Sequence, residues 1–155
     1  ISALPAALRQ RSFDHVVANP PYFRRAAGLG SSSDHRESAM AGDLPLSAWV
    51  DCAIKRLRPK GRLTMIVAAA RLPEILAAIG DRLGDQRVLP IAGRAGRTAG
   101  RVIVTGCKAS RAPFFLLAPR VLHTGSSQRG EQEDYTDEAA AILRDGAALA
   151  LENRS

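Results

Sequence analysis

The side chains best suited to chemistry stand together at Asn19-Pro20-Pro21-Tyr22. An Asn side chain accepts a hydrogen bond through its carboxamide oxygen. A proline keeps its carbonyl and lacks an N–H, so the stretch presents acceptors without a competing donor. Two acceptors aimed at one NH2 group fix both its hydrogens and leave the nitrogen lone pair facing an electrophile. The Tyr ring offers a face on which a base can stack. The pattern suits a pocket for a flat molecule carrying an exocyclic amine. A rigid turn closing a strand is the plainer account. It explains the prolines but not the Asn and Tyr that flank them.

The elements that must hold these residues follow from the spacing of apolar positions. Phe13 to Ala18 reads as a buried strand, which puts the motif at the carboxyl end of a strand, where open α/β sheets place their ligands. Residues 1–12 are a lead-in with Leu4 and Leu8. Residues 23–45 form a long loop carrying Gly28, Gly30, Arg24, Arg25, His35, Arg36 and Glu37, and loops of that length are usually functional or mobile. Leu46, Trp49, Val50, Ala53, Ile54 and Leu57 recur at helical spacing and predict a helix over 45–57, stopped by Arg58-Pro59-Lys60-Gly61. The unbroken apolar run Leu63 to Ala69 predicts a central parallel strand covered on both faces. Leu72, Ile75, Leu76, Ile79 and Leu83 predict a second helix, with Pro73 in its first turn.

Gln86 to Ile91 and Arg101 to Cys107 read as strands joined by a Gly/Arg loop over 92–100. No helix lies between them, so they pair antiparallel. Phe114 to Leu117 and Val121 to His123 are short apolar pieces broken by Pro119, and Thr136 caps a final helix. Helices between apolar strands imply crossovers and a mostly parallel sheet. The fold class is therefore α/β with an antiparallel last strand. The chain divides into a lead-in (1–12), a sheet domain (13–123) and a polar loop with a C-terminal helix and tail (124–155).

Lys and Arg number 22 against 15 Asp and Glu, a net charge of +7, and Lys occurs only at 55, 60 and 108. This balance favours a polyanionic partner such as nucleic acid, with genomic base composition as a contributor to the Arg content. Cys52 and Cys107 have no CxxC or Cys/His spacing, which argues against a zinc site and fits free thiols in a reducing cytoplasm. No apolar run approaches a membrane span. Trp49 reads as core, His15 as a strand residue facing a surface or a helix, and His123 as structural. His35 with Glu37 is a weak catalytic pair.

A strand followed by Asn19-Pro20-Pro21-Tyr22 resembles the catalytic motif of S-adenosylmethionine-dependent amino-methyltransferases, which act on adenine N6, cytosine N4 or a glutamine amide. Further segments narrow the resemblance. They are His35-Arg36-Glu37-Ser38-Ala39, Leu57-Arg58-Pro59-Lys60-Gly61-Arg62-Leu63, Arg71-Leu72-Pro73, Arg94-Ala95-Gly96-Arg97, Arg101-Val102-Ile103-Val104, Lys108-Ala109-Ser110-Arg111-Ala112-Pro113, Leu122-His123 and Tyr135-Thr136-Asp137-Glu138-Ala139. In that order they look like the bacterial enzymes that methylate N6 of adenine-37 in valine tRNA, over almost the whole chain from Phe13.

The resemblance implies the C-terminal part of a Rossmann-like class I methyltransferase fold. It implies Asn19, Pro20, Pro21 and Tyr22 as the catalytic set. Asn19 and the Pro20 carbonyl would grip the N6 amine, Tyr22 would stack on the flipped base and Phe23 would wall the pocket. Arg24, Arg25 and Arg36 would hold phosphates near the pocket, with Arg94, Arg97, Arg101, Lys108 and Arg111 as a second basic set. The implied cofactor is S-adenosyl-L-methionine, with Asn19 its contact here and most of its site expected upstream of Ile1. The implied partner is tRNA, in the cytoplasm, with no metal and no membrane. The chain departs from the pattern in one respect: it has no Gly-rich loop after a first strand and no acidic residue some twenty positions on. A sheet without that half exposes an edge open to self-association. The rival readings are a protein-glutamine N5-methyltransferase, a DNA adenine methyltransferase without a recognisable target-recognition domain, and a non-catalytic nucleic-acid-binding fragment.

Overall fold

The structure, a computed structural model, describes residues 5–21, 44–125 and 134–151. Its strands are β1 (Phe13–Ala18), β2 (Leu57–Ala68), β3 (Leu83–Ala92), β4 (Arg101–Lys108), β5 (Phe115–Leu116) and β6 (Arg120–Val121). Its helices are α1 (Ala6–Arg9), α2 (Leu46–Arg56), α3 (Leu72–Ile79) and α4 (Asp137–Asp145), with a 3-10 turn at Ala69–Arg71. The strands form one sheet in the order β1-β2-β4-β3-β5, and β6 also pairs with β3. β1 is parallel to β2, and β5 and β6 are parallel to β3. Only β4 runs against the others. This is the mostly parallel α/β sheet read from the sequence. The reversed strand, however, lies between β2 and β3 rather than at an edge. The crossover through α3 leaves a gap beside β2, and the chain turns back through residues 93–100 to fill it.

Both crossovers, β1-α2-β2 and β2-α3-β3, progress the same way across the sheet, so α2 and α3 lie on one face. Leu63, Met65 and Val67 of β2, Val88 of β3, and Val102 and Val104 of β4 pack there against Leu46, Val50, Ile54, Ile75 and Ile79. Trp49 is partly buried against the same core. The other face is covered only in part. Along β2 buried residues alternate with half-buried ones from Gly61 to Ala68. Ile66, Ile91 and Ile103 line a cavity of about 330 Å³ beneath Ala139, Ile142 and Leu143 of α4. The expected coverage of β2 on both faces is thus corrected to one full face.

Two element boundaries also differ from expectation. α2 ends at Arg56, and the chain enters β2 at once, without the turn predicted from Arg58-Pro59-Lys60-Gly61. The irregularity is absorbed within the strand: Lys60 has φ +67°, and the β1–β2 register shifts between Phe13 and His15. Gly61 is needed at that shift. A Cβ there would lie 2.9 Å from the Arg58 carbonyl oxygen and 3.0 Å from that of Phe13, closer than packed atoms allow. α3 stops at Ile79, where Gly80 adopts φ +55°, so Leu83 is buried as the first residue of β3 rather than as helix. Pro90 lies between the positions of β3 that pair with β5 and with β6, and it has no N–H to offer a neighbouring strand. The cap on α4 is as expected: Thr136 Oγ1 accepts from the Ala139 N–H at 3.2 Å.

No helix among the described residues is long and apolar enough to cross a membrane. Among the same residues no cluster of His, Cys, Asp and Glu could hold a metal ion. Cys52 and Cys107 are free and half-buried.

Candidate active site

Asn19 stands where β1 leaves the sheet, one residue past Ala18, which lies beside Met65 of β2. Asn19 is exposed, Pro20 buried and Pro21 half-buried. The amide is thus presented outward on a turn whose prolines are packed inward. Neither proline can donate to a strand, so the β-ladder cannot continue past Asn19 on its own hydrogen bonds.

The turn is held from the next strand-to-helix passage. Arg71, the last residue of the 3-10 turn after β2, donates from Nη1 to the Pro21 carbonyl at 3.3 Å. Its guanidinium is gripped by Glu74 of α3, with Nε to Oε2 and Nη2 to Oε1 both at 3.1 Å. Oε1 of Glu74 also accepts from the backbone N–H of Leu46, the first residue of α2, at 3.3 Å. A planar guanidinium engaged at both carboxylate oxygens is oriented as well as charged. The sequence noted Arg71-Leu72-Pro73 without a role for Arg71. An Arg and a Glu three apart are legible as a helix-start pair, but the contact to Pro21, fifty residues away, is not.

Tyr22, Phe23, Arg24, Arg25 and Arg36 lie outside the described residues, as do His35 and Glu37. The second basic set is divided by the reversal of β4. Arg101 begins β4 beside Ala68 and Ile91, at the carboxyl end of the parallel strands and on the same rim as Asn19. Arg97 is exposed in the loop at that rim. Arg94, on the same loop, is engaged internally: it pairs with Asp134 at 2.6 Å and donates to the Thr124 carbonyl.

Lys108 closes β4 beside Leu83, at the amino end. Its Nζ donates to the carbonyls of Ile54 and Leu57, both at 2.8 Å, and so closes the end of α2. Arg111 follows it at that end, next to Ala112, whose carbonyl accepts from the Asp85 N–H. The structure therefore brings Asn19, Pro20, Pro21, Arg94, Arg97 and Arg101 to one rim and sets Lys108 and Arg111 at the opposite end.

The rim also carries an Asp–His pair. His123 Nδ1 lies 2.9 Å from Asp134 Oδ1, and the imidazole stacks on Tyr135 with centroids 4.9 Å apart. The Arg94 hydrogen bond and charge hold the Asp134 carboxyl below the usual carboxylate range, with His123 contributing to the same effect. His15 is exposed on β1, as expected of a strand residue facing a surface. Asp14 beside it pairs with Arg58 at 2.8 Å, with both side chains exposed.

S-adenosylmethionine, the cofactor that the resemblance implies, finds a partial fit. Asn19 offers it an exposed amide at the carboxyl end of a strand. The described passage after β2 runs through Ala69–Arg71 and contains no glycine turn to cradle a nucleoside.

The fold defined by this sheet is that of methyltransferases. The chain superposes on the crystal structure of a predicted O-methyltransferase, protein Atu636 from Agrobacterium tumefaciens, with a TM-score of 0.65 and 26% identity, covering 88% of this chain and 53% of that one. A chain of a type I R-M system shares the fold alone, with a TM-score of 0.52 and 16% identity over 87% of this chain and 29% of that one.

In sequence, the chain is similar to proteins named tRNA1(Val) (adenine(37)-N6)-methyltransferase. It is 28% identical over 142 residues to that of Shewanella baltica (strain OS185), covering 88% of this chain and 55% of the relative. It is 28% identical over 139 residues to that of Dickeya chrysanthemi (strain Ech1591), covering 87% and 53%. A relative from Porphyromonas gingivalis (strain ATCC 33277) is 30% identical over 96 residues, covering 57% and 37%. The resemblance read from the motifs is borne out by these relatives. The chain spans about half the length of the two it matches over most of its own length. No family model matches it.

Proposed function

We propose that this chain serves the transfer of a methyl group to the exocyclic N6 amine of an adenine in tRNA, adenine-37 of valine tRNA being the target its relatives are named for. S-adenosylmethionine, when bound, supplies the electrophilic methyl group, with most of its site expected upstream of Ile1. The task of the chain's own residues is to prepare the nucleophile. An adenine amine is a poor one, because its lone pair is delocalised into the ring. The Asn19 carboxamide oxygen and the Pro20 carbonyl accept the two amine hydrogens, draw the nitrogen out of planarity and free that pair. Holding it in line supplies much of the acceleration. Tyr22 stacks on the flipped base, with Phe23 as a wall. Arg24, Arg25 and Arg36 hold phosphates near the pocket, and Arg97 and Arg101 extend the basic surface along the rim. The reading places the protein in the cytoplasm and leaves the outer edge of β1 open to self-association.

The observation that carries this reading is the exposed Asn19 amide at the carboxyl end of β1, on a turn whose Pro21 carbonyl is held by Arg71. The test is Asn19→Ala. Mass spectrometry of digested tRNA should show N6-methyladenosine formation at least ~100-fold lower, a loss on the scale of removing a transition-state hydrogen-bond partner. The dissociation constant for tRNA should change by less than about twofold, since a phosphate-dominated affinity does not rest on one amide. Normal turnover in the variant refutes the role. The partial cofactor fit favours one other reading, a nucleic-acid-binding module without catalysis. Calorimetric titration with S-adenosylmethionine separates the two. Binding by a chain extended upstream of Ile1 supports the enzyme, and silence in both chains supports the module.

A further inference from the structure

We propose that the Arg71–Glu74 ion pair is the positioning clamp of the Asn-Pro-Pro turn, and that it fastens both ends of the segment carrying Tyr22 to a single point. The inference rests on the methyl-transfer reading for its purpose and on geometry for its substance.

The turn needs an external hold. β1 pairs with β2 alone among the described residues, and its register ends at Ala18. Pro20 and Pro21 have no N–H with which to continue that ladder. Arg71 supplies the missing contact through the Pro21 carbonyl. Arg71 is itself immobilised, because Glu74 takes up Nε and Nη2 and leaves Nη1 directed at the turn. The same carboxylate binds the N–H of Leu46, which is fully buried and opens α2. Pro21 and Leu46, which flank residues 22–45 in sequence, are therefore both tied to one carboxylate–guanidinium unit. A shift of that unit moves both ends of the segment together.

Charge gives a second reason for a pair rather than a lone cation. A nitrogen that gains a methyl group becomes positive before it loses its proton. A lone guanidinium beside the turn would oppose that charge, and the paired Glu74 carboxylate offsets it. The clamp thus adds stiffness without a net charge at the reacting amine. Arg71 touches the turn at the Pro21 carbonyl and acts through it.

The experiment compares Arg71→Met, Arg71→Lys and Glu74→Gln with the parent chain. Asp51→Asn, which removes the exposed pair between Asp51 of α2 and Arg82 in the turn before β3, serves as control. Hydrogen exchange is read on the peptides 13–21 and 46–50 and on β4, alongside kcat and KM with tRNA for the same variants in a chain extended upstream of Ile1. In Arg71→Met and Glu74→Gln, exchange should rise about tenfold in both peptides with β4 unchanged, the mark of a local opening. The value of kcat should fall about 10- to 100-fold with KM for tRNA within about twofold, as for a misplaced reacting group. Arg71→Lys should recover part of kcat, since an ammonium can reach one carbonyl but cannot hold the fork. Asp51→Asn should move neither readout. Parent-like exchange and turnover in Arg71→Met and Glu74→Gln overturn the clamp. So does a loss of protection that spreads into β4, which would mark a merely structural residue. If a chain extended upstream of Ile1 transfers no methyl group, the functional reading fails, and the exchange readout alone decides the clamp.

Discussion

The two ends of the parallel strands carry similar residues put to different work. At the amino end, Lys108 closes the carbonyls of Ile54 and Leu57, and Lys60 reaches the Ala109 carbonyl. Asp85 there stands between Arg62 and Arg87, while Arg87 also binds the Leu151 carbonyl. Lys60, Arg87 and Lys108 at this end are engaged in tying backbone together. At the carboxyl end, Asn19 and Arg97 are exposed, and the turn that carries Asn19 is held at Pro21 by Arg71. Basic residues count towards a ligand only where the fold has not already engaged them. Net charge alone does not show which end that is.

Three substitutions test this contrast. The largest effect on stability belongs to Lys108→Met. It removes two charge-assisted hydrogen bonds from carbonyls at the end of α2 and should cost about 2 kcal/mol in denaturant unfolding. Its affinity for tRNA should match the parent's, and a weakened affinity would return Lys108 to the substrate surface.

Asp85→Asn comes next. Burial acts to raise the Asp85 carboxyl, but hydrogen bonds from Arg62 and Arg87 outweigh it and hold the group below its ordinary 3.8. A carboxylate depressed on folding contributes stability that is complete above its unfolded value and lost as pH falls through the folded one. The parent chain should therefore lose stability through this group as pH falls through and below the ordinary carboxylate value, and the Asn variant should show a flatter acid limb. Equal acid limbs would remove Asp85 from the account.

The smallest effect is that of Arg97→Ala. Binding to tRNA should weaken only a few-fold, the slope of log affinity against log salt should fall by about 1, and stability should stay within about 0.5 kcal/mol. An unchanged salt slope would take Arg97 off the binding rim.

Much of the fold was legible from apolar spacing. The runs at Phe13, Leu63, Gln86 and Arg101 became β1 to β4, and Thr136 caps its helix. Propensity misled at Arg58-Pro59-Lys60-Gly61, which has turn residues but lies within a strand whose bulge accommodates them. Periodicity misled at Leu83, an apolar residue in helical phase that lies past the break at Gly80. Of the candidate site, the sequence marked the Asn-Pro-Pro stretch, which lies exposed at Asn19 where β1 ends. The basic set was not legible, because Arg101 and Lys108 are seven residues apart in sequence but at opposite ends of a strand, roughly 23 Å at the usual rise. Arg71 escaped notice because nothing in a local window points to a carbonyl fifty positions earlier.

The position of β1 has one more consequence. Val17, two residues before Asn19, is 78% exposed on a strand with a neighbour on one side only among the described residues. Such a margin frays by thermal opening at a free energy well below that of global unfolding. The temperature at which the amide loses its orientation and the temperature at which the core melts are therefore separate properties of this molecule. A melting curve followed by helix signal measures the second and is silent on the first.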